Sequence, residues 1–443
     1  MTSRSTVILV AGLSLASAAI PLGVSAQTAA PAPTAPAAAA SPAAPPPTSP
    51  ELSPEELARR FREVLDEAGR RAASQGVSAR VITAAFAGLE PDVEVLDLSR
   101  RQPEFTSALW DYLGRLVSQQ RITDGRQKLE TEKQTLADVE ATLGVDRHVV
   151  LAIWGVESNF GTRTGDRRIV RSLATLAAGD ERRSAFWRGE LVAALRIVER
   201  GDIAGDRLLG SWAGAMGHTQ FIPSTYLQHA MDFDGDGRRD IWNSVPDALG
   251  STARYLRTSG WLGDRPCLIE VTLPPSFDHG LAAPQVEKTF AAWAALGIKP
   301  VGDGTNTAWA SAKRLPGSAQ LRVLLPAGAA GPAFLVTQNF NAVLRYNQSI
   351  AYALAVCHLA DRLAGGDAIL AAWPVDDPPL ARADREEVQR LLTTLGYDVG
   401  GVDGLIGGRT QAAVRAYQRA NGLPPDGYAS QRLLERLRRS AGL

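Results

Sequence analysis

Apolar residues recur at helical spacing through most of the first half of the chain. Ser53, Pro54 and Glu56 form the start of a capping box, and the apolar positions that follow share one helix face: Leu57, Phe61, Val64, Leu65 and Ala68. The same spacing predicts helices near 77–89, 106–118, 128–143 and 146–158. Strand-like runs come only later, at Cys267–Leu273, Leu321–Leu325 and Ala333–Val336, around a helical stretch at Val286–Leu296. The pattern predicts a mainly α (α+β) fold, in which a helical domain carries a small β insertion.

The last 60 or so residues form a separate pattern. Paired prolines and acids between Trp373 and Pro379 interrupt the helical spacing and predict a linker over 373–382, between a large domain at 51–372 and a module at 383–443. Three helical faces follow, at Val388–Leu395, at Val414 and Tyr417, and at Leu433–Leu437. Two Asp-Gly turns precede the second and third helices, for which Thr410 and Ser430 are the N-cap candidates. We expect a three-helix module, which at this length has a marginal core.

The N-terminal segment is typical of exported proteins. Arg4 precedes an apolar run at Val7–Ile20, and Val24-Ser25-Ala26 is a small-residue cleavage pattern. This predicts a signal peptide at 1–26 and a periplasmic location. The alternative is a membrane anchor, but the apolar run is shorter than the roughly 20 residues that a spanning helix needs, so no transmembrane anchor is expected after signal removal. Residues 27–50, almost all Ala, Pro, Thr and Ser, are predicted to be a disordered linker.

Charge and cysteine content narrow the classes of partner. Lys plus Arg and Asp plus Glu each total 47, so no global field draws the chain to nucleic acid, which is not expected as a partner. Cys267 and Cys357 are the only cysteines and cannot form a zinc cluster alone. In an oxidising compartment they form either one disulfide or two buried free thiols.

The strongest candidate for chemistry is an acid at the end of an apolar helix. Asp146 can cap a helix whose inner face carries Val150, Ile153 and Trp154, and the same period brings Glu157 onto that face. A glutamic acid partly withdrawn from water has a raised pKa and can donate a proton to a leaving oxygen near neutral pH, as glycoside cleavage requires. The alternative is a helix-end glutamate in a structural salt bridge.

Two further segments favour the catalytic interpretation. Gly210–Gln220 is rich in glycine with interspersed aromatic and amide groups, as expected of a backbone that a sugar approaches closely. The runs Asn339–Asn341 and Arg345–Ser349 add amide and phenol groups suited to sugar hydroxyls and N-acetyl groups. His218 lies within the first segment and is expected to be a hydrogen-bonded structural residue.

These segments together resemble one family, the lytic murein transglycosylases of the B type (glycoside hydrolase family 103), which have a goose-type lysozyme-like fold. The resemblance covers about residues 54–362. It is carried by Arg100-Arg101-Gln102-Pro103-Glu104-Phe105, Gly155-Val156-Glu157-Ser158-Asn159-Phe160-Gly161, Gly210–Pro223 and Arg345-Tyr346-Asn347. It implies that Glu157 is the only catalytic carboxylate and that no cofactor is needed for catalysis. The residues expected to bind substrate are Ser158, Ser211, Gln220, Asn339, Tyr346 and Asn347.

The resemblance also implies a mechanism. Glu157 protonates the bond between N-acetylmuramic acid and N-acetylglucosamine, and the muramoyl N-acetyl group assists at C1. Glu157 then takes the proton of the C6 hydroxyl, which closes a 1,6-anhydro ring. The alternatives are a hydrolytic muramidase, which adds water, and a scaffold that binds peptidoglycan without catalysis. The expected partner is the peptidoglycan glycan strand, and the sequence identifies no protein partner.

An acidic loop predicts a structural Ca²⁺ site. Asp232-Phe233-Asp234-Gly235-Asp236-Gly237-Arg238-Arg239-Asp240 matches the first nine positions of an EF-hand loop. The predicted ligands are Asp232, Asp234, Asp236 and the backbone carbonyl of Arg238. Asn243 stands at position twelve, and Asn243, Asp240 and Asp247 are the candidates to complete the loop. Asp247 is the nearest match to the late acid in the family that the chain resembles. The alternative is a solvated Asp-Gly turn.

The C-terminal stretch 385–438 resembles the common peptidoglycan-binding domain. Val388-Gln389, Gly396-Tyr397, Asp403-Gly404, Gly407-Gly408-Arg409-Thr410 and Val414–Gln418 carry the resemblance. It implies a module that raises the local concentration of glycan at the enzyme. The alternative is a structural cap for the large domain.

Overall fold

The computed structural model describes residues 52–100, 108–263 and 265–443. The predicted signal peptide and linker, and Arg101–Phe105 of the first family motif, lie outside the described residues. The helices of the first 258 residues are α1 Pro54–Ser74, α2 Ala79–Phe86, α3 Val93–Arg100, α4 Leu109–Leu116, α5 Gln119–Thr131, α6 Lys133–Leu143, α7 Arg147–Ser158, α8 Ile169–Gly179, α9 Ser184–Arg200, α10 Pro223–His229 and α11 Val245–Thr258. Those that follow are α12 Phe290–Ala295, α13 Thr307–Lys313, α14 Gln338–Tyr346, α15 Ile350–Leu363, α16 Arg382–Thr394, α17 Gly408–Ala420 and α18 Gln431–Ser440. The strands are β1 Arg167–Arg168, β2 Leu209–Gly210, β3 Leu268–Thr272, β4 Lys288–Thr289, β5 Lys299–Pro300, β6 Gln320–Leu324 and β7 Ala333–Val336.

Helix α7 lies at the centre of the helical domain. It packs against α5, α6, α11 and α15, and every residue from Val149 to Gly155 is buried. Asp146 caps the helix as predicted, because its carboxylate accepts the backbone N–H of His148. Ser53 likewise caps α1 by accepting the N–H of Glu56. A helix enclosed on all sides is a rigid base for its C-terminal residues.

The predicted helix at 128–143 is wrong as a single element. The structure divides this stretch into α5 and α6, and Glu132 between them leaves helical geometry with φ −103° and ψ 19°. The apolar positions Ile122, Leu129 and Leu136 keep a seven-residue spacing across the break. The apolar spacing therefore continues across the residue at which the helix breaks, so the spacing could not locate the boundary between α5 and α6.

The β insertion is a five-stranded antiparallel sheet in the order β4-β6-β7-β3-β5. Ile269 and Val323 both pair with Leu335, and the face that these residues share packs on Trp293 of α12 to form a second core. The three predicted strands are confirmed as β3, β6 and β7. The helix predicted at Val286–Leu296 is corrected, because its first part forms β4 and only Phe290–Ala295 is helical.

Helices α16, α17 and α18 enclose a third core and confirm the predicted three-helix module. Its fully buried residues are Val388, Leu392, Val414, Leu434 and Leu437. Ser430 caps α18 as expected, but the N-cap of α17 is Gly407 rather than Thr410. Thr410 is buried within the helix, where its hydroxyl accepts a hydrogen bond from Gln389. The module contacts the rest of the chain through Asp426, whose carboxylate accepts the backbone N–H of Ala329.

Both cysteines are buried as free thiols, Cys267 beside β3 and Cys357 within α15. Burial raises the pKa of both. The sequence allowed either one disulfide or two buried free thiols, and in the structure the two cysteines are buried free thiols. Among the described residues, no helix is both long enough and apolar enough to span a membrane.

Candidate active site

Glu157 occupies the last turn of α7, where the backbone reverses sharply. Asn159 and Phe160 both adopt left-handed geometry, with φ of 49° and 56°, which non-glycine residues rarely do. The turn is held because Asn159 and Phe160 donate their N–H groups to the carbonyls of Gly155 and Trp154. Phe160 folds back beneath the helix and packs edge-on against Trp154. Such strained residues persist where the surrounding structure enforces them, often at functional sites.

The Glu157 side chain is only partly exposed, and the pKa of its carboxyl group lies close to neutral. Burial raises its pKa to about 7, and a hydrogen bond from the Tyr352 hydroxyl, 2.6 Å from Oε1, opposes part of that rise. Glu157 forms no ion pair with any residue in the described ranges. Among the residues that the structure describes, nothing supports the salt-bridge interpretation of Glu157.

Aromatic residues form the wall behind the acid. Tyr352 stacks on Tyr346 with an interplanar angle of 10°, and Tyr346 packs in turn against Phe221 and Tyr255. The Tyr346 hydroxyl donates to the carbonyl of Thr219, 2.6 Å away. These contacts join the end of α14 and the start of α15 to the Gly210–Gln220 segment. The three regions singled out in the sequence thus meet around Glu157.

The Gly210–Gln220 segment needs its glycines because other backbone lies against it. A Cβ on Gly217 would lie 2.5 Å from the carbonyl oxygen of Ile241, and Gly217 also has φ +64°. Gln220 has φ 52° and donates its side-chain amide to the carbonyls of Thr164 and Gly217. Its amide group is therefore oriented before any ligand binds.

Three of the six residues expected to bind substrate are enclosed by protein. Ser158, Asn339 and Tyr346 are fully buried. The Ser158 hydroxyl donates to the carbonyl of His218, and the Asn339 amide bonds the backbone of Leu262 and Arg265. The polar groups of these three residues are occupied inside the fold, and their contact with a sugar stays a prediction. Ser211, Gln220 and Asn347 are partly exposed.

Tyr352 is a site residue that sequence reasoning missed. It lies three residues inside α15, where its backbone N–H donates to the capping Ser349. The polar run Arg345–Ser349, which the sequence analysis identified, ends before Tyr352, and an apolar helix follows it. The available signal was the position of a tyrosine in the first turn of a buried helix directly after the Tyr346-Asn347 pair.

The acidic loop gathers three carboxylates rather than the predicted set. Asp232, Asp234 and Asp247 each offer an oxygen within 4.8 Å of the others. Asp236 lies outside this cluster, because its carboxylate accepts hydrogen bonds from the guanidinium and backbone N–H of Arg238, and its role as a ligand stays a prediction. Asp240 accepts hydrogen bonds from Trp242 and Asn243, which leaves Asp247 to complete the cluster. Asp247 is fully buried, and burial raises its pKa.

A helical fold that places a glutamate of raised pKa beside an oriented amide group and stacked aromatic rings is typical of the lysozyme-like class of glycan-cleaving enzymes. Residues 60–361 match the family model described as transglycosylase SLT domain, and residues 381–437 match the peptidoglycan binding domain model. The chain therefore belongs to the transglycosylase SLT domain family.

Individual relatives agree with this family. Membrane-bound lytic murein transglycosylase B of Escherichia coli is 31% identical over 268 residues, which are 60% of this chain and 70% of that protein. SltB3 of Pseudomonas aeruginosa, solved in complex with NAG-anhNAM-pentapeptide, is 46% identical with a TM-score of 0.80, over 85% of this chain and 99% of that one. The E. coli lytic transglycosylase Slt35, solved in complex with calcium, is 26% identical with a TM-score of 0.56, over 69% of this chain and 92% of that one.

Proposed function

We propose that this enzyme cleaves the β-1,4 bond between N-acetylmuramic acid and N-acetylglucosamine in peptidoglycan and leaves a 1,6-anhydro end. Glu157 donates its proton to the glycosidic oxygen, so that the bond at C1 breaks while the muramoyl N-acetyl oxygen assists there. The resulting carboxylate then accepts the proton of the C6 hydroxyl as that oxygen bonds to C1. Glu157 ends the cycle protonated, and no water is consumed.

One observation carries this proposal. The Glu157 carboxyl group lies at the end of α7 against the Tyr352 hydroxyl, and burial raises its pKa to about 7. A group with a pKa near 7 can donate and accept a proton in one cycle. The SltB3 complexes with NAG-NAM-pentapeptide and NAG-anhNAM-pentapeptide support the substrate and product.

The test is the loss of one carboxyl group. We expect Glu157→Gln to lower glycan cleavage at least a thousandfold while binding to insoluble peptidoglycan persists. A variant that still cleaves would contradict the role of Glu157. Mass spectrometry of wild-type digests of purified sacculi then separates the chemistries: anhydro ends support the transglycosylase, whereas reducing muramic acid ends indicate a hydrolytic muramidase.

We also infer that Asp232, Asp234 and Asp247 hold a structural Ca²⁺. Three converging carboxylates repel one another, and oxygen ligands of this kind suit Ca²⁺. The calcium complex of Slt35 supports the identity of the ion. Bound there, the ion would neutralise the cluster, and the loop offers no group able to act on a sugar.

We further propose that the chain is exported to the periplasm by residues 1–26 and targeted to the wall by its C-terminal module. The match of residues 381–437 to the peptidoglycan binding domain supports the targeting role. The cell-wall activity of the E. coli relative, named a murein transglycosylase, supports the compartment.

A further inference from the structure

His218 forms hydrogen bonds that connect three parts of the active site: helix α7, the Gly210–Gln220 segment and the backbone at Ile241. Its Nδ1 accepts the indole N–H of Trp154 at 2.8 Å, and its backbone carbonyl accepts the hydroxyl of Ser158 at 2.8 Å. Both partners belong to α7, one on each side of Glu157. The His218 backbone N–H donates to the carbonyl of Ile241 at 2.9 Å. His218 itself stands two residues before Gln220.

The ring is enclosed and its tautomer follows from its partners. A Cβ on Gly161 would lie 2.2 Å from the imidazole, so the turn after α7 closes over the ring. Because Nδ1 accepts the Trp154 indole N–H, the proton of the neutral ring is on Nε2. Burial lowers the pKa of His218, which keeps the ring neutral and Nδ1 able to accept.

We propose that His218 is a positioning residue for the acid. It ties the end of α7 to the Gly210–Gln220 segment and to the Ile241–Trp242 segment, and so fixes Glu157 relative to the Gln220 amide. The inference rests on the proposed role of Glu157. A displacement of about 1 Å in a catalytic group can cost about a hundredfold in rate, so a small shift of this helix end is enough to matter.

The test compares two substitutions of His218 with a matched control. His218→Phe keeps the approximate ring volume and removes the hydrogen bond from the Trp154 indole, so we expect kcat to fall at least tenfold while KM stays within twofold. Glu157 is then more exposed to water, so its pKa falls and the alkaline limb of the kcat profile moves to lower pH. His218→Asn returns an acceptor near the position of Nδ1 and should restore most of kcat. His229→Phe is the control, since His229 is also partly buried with one side-chain hydrogen bond, and it should behave as wild type.

A double-mutant cycle locates the effect. If His218 acts through the indole, His218→Phe costs little further kcat in a Trp154→Phe background. Additive losses, equal losses in His218→Phe and His218→Asn, or an unchanged pH limb would each overturn the positioning role. Glu157→Gln, measured alongside, keeps the two proposals apart: residual cleavage there defeats the proposed function, whereas unchanged kcat in His218→Phe defeats only this inference.

Discussion

At the scale of single residues, the protonation state of Glu157 depends on two opposing neighbours. Burial favours the neutral acid, and the Tyr352 hydroxyl favours the carboxylate by donating to Oε1. Burial is the larger effect, which leaves the pKa at about 7 rather than at its ordinary value of 4.5. The same hydroxyl orients the carboxyl group. Tyr352 therefore sets both the direction in which Glu157 points and the pH at which it loses its proton.

Replacing Tyr352 by Phe tests this balance. Without the hydroxyl the carboxylate is less stable, so the pKa of Glu157 rises further and the alkaline limb of kcat/KM moves to higher pH. We expect the maximal rate to fall about tenfold because the acid is less well oriented. The measurement is a pH–rate profile from 5 to 9 on soluble glycan. Tyr417→Phe removes a comparable hydroxyl in the C-terminal module, and a similar shift in that control would contradict the prediction.

Much of this site could be predicted from the sequence. Glu157, Gln220 and the Tyr346-Asn347 pair follow from local motifs. The sequence did not show which of the candidate polar side chains are enclosed by protein, and Ser158, Asn339 and Tyr346 are polar yet fully buried. Their burial depends on segments far away in the chain. Tyr352 was missed for the same reason, since only the packing of α15 on α7 brings it to Glu157.

At the scale of elements, the end of α7 depends on a close contact between a glycine and an aromatic ring. Gly155 lies inside the helix, where glycine is unfavourable, yet a Cβ there would lie 2.7 Å from Cζ of Phe160. Phe160 is buried and held in left-handed geometry, so its ring has no free space to enter. The sequence shows the glycine but not its neighbour.

Two glycine substitutions distinguish helix propensity from packing. Gly189 is also inside a helix, α9, but nothing lies within 4 Å of its Cβ position. We expect Gly189→Ala to raise the free energy of unfolding by up to about 1 kcal/mol, from propensity alone. Gly155→Ala has the same gain in helix propensity, but the added methyl group overpacks the core at a cost of about 1–3 kcal/mol. We therefore expect it to lower the free energy of unfolding by about 1 kcal/mol. Chemical denaturation measures both changes, and stabilisation by Gly155→Ala would refute the packing argument.

At the scale of the whole molecule, three cores correspond to the helical domain, the sheet and the C-terminal module. Periodicity in the sequence predicted these units, since each buries its own apolar face. It did not predict their contacts. Asp426 belongs to a turn of the module, and its bond to Ala329 ties that turn to the loop between β6 and β7. An Asp-Gly turn has the same local sequence whether or not such a partner exists.

The acidic loop is tied to the start of α11 by backbone hydrogen bonds to Asp247. Asp247, at the start of α11, accepts the N–H groups of Phe233, Asp234 and Asp240, and so ties that helix to both ends of the loop. Burial raises the pKa of Asp247, which opposes its ionised form in the absence of a cation.

A cation that binds only the folded state stabilises the whole domain by mass action, by about 2.7 kcal/mol at a hundred times its dissociation constant. We expect a chelator to lower Tm by several degrees and added Ca²⁺ to restore it. Asp232→Ala should lower Tm and abolish the response to chelator, because it removes one of the three converging carboxylates. Asp206→Ala, an exposed acid outside the loop, should leave the response intact. A wild-type Tm that does not respond to chelator would show that this cluster is stable without Ca²⁺, since the hydrogen bonds to Asp247 would then suffice to hold the loop.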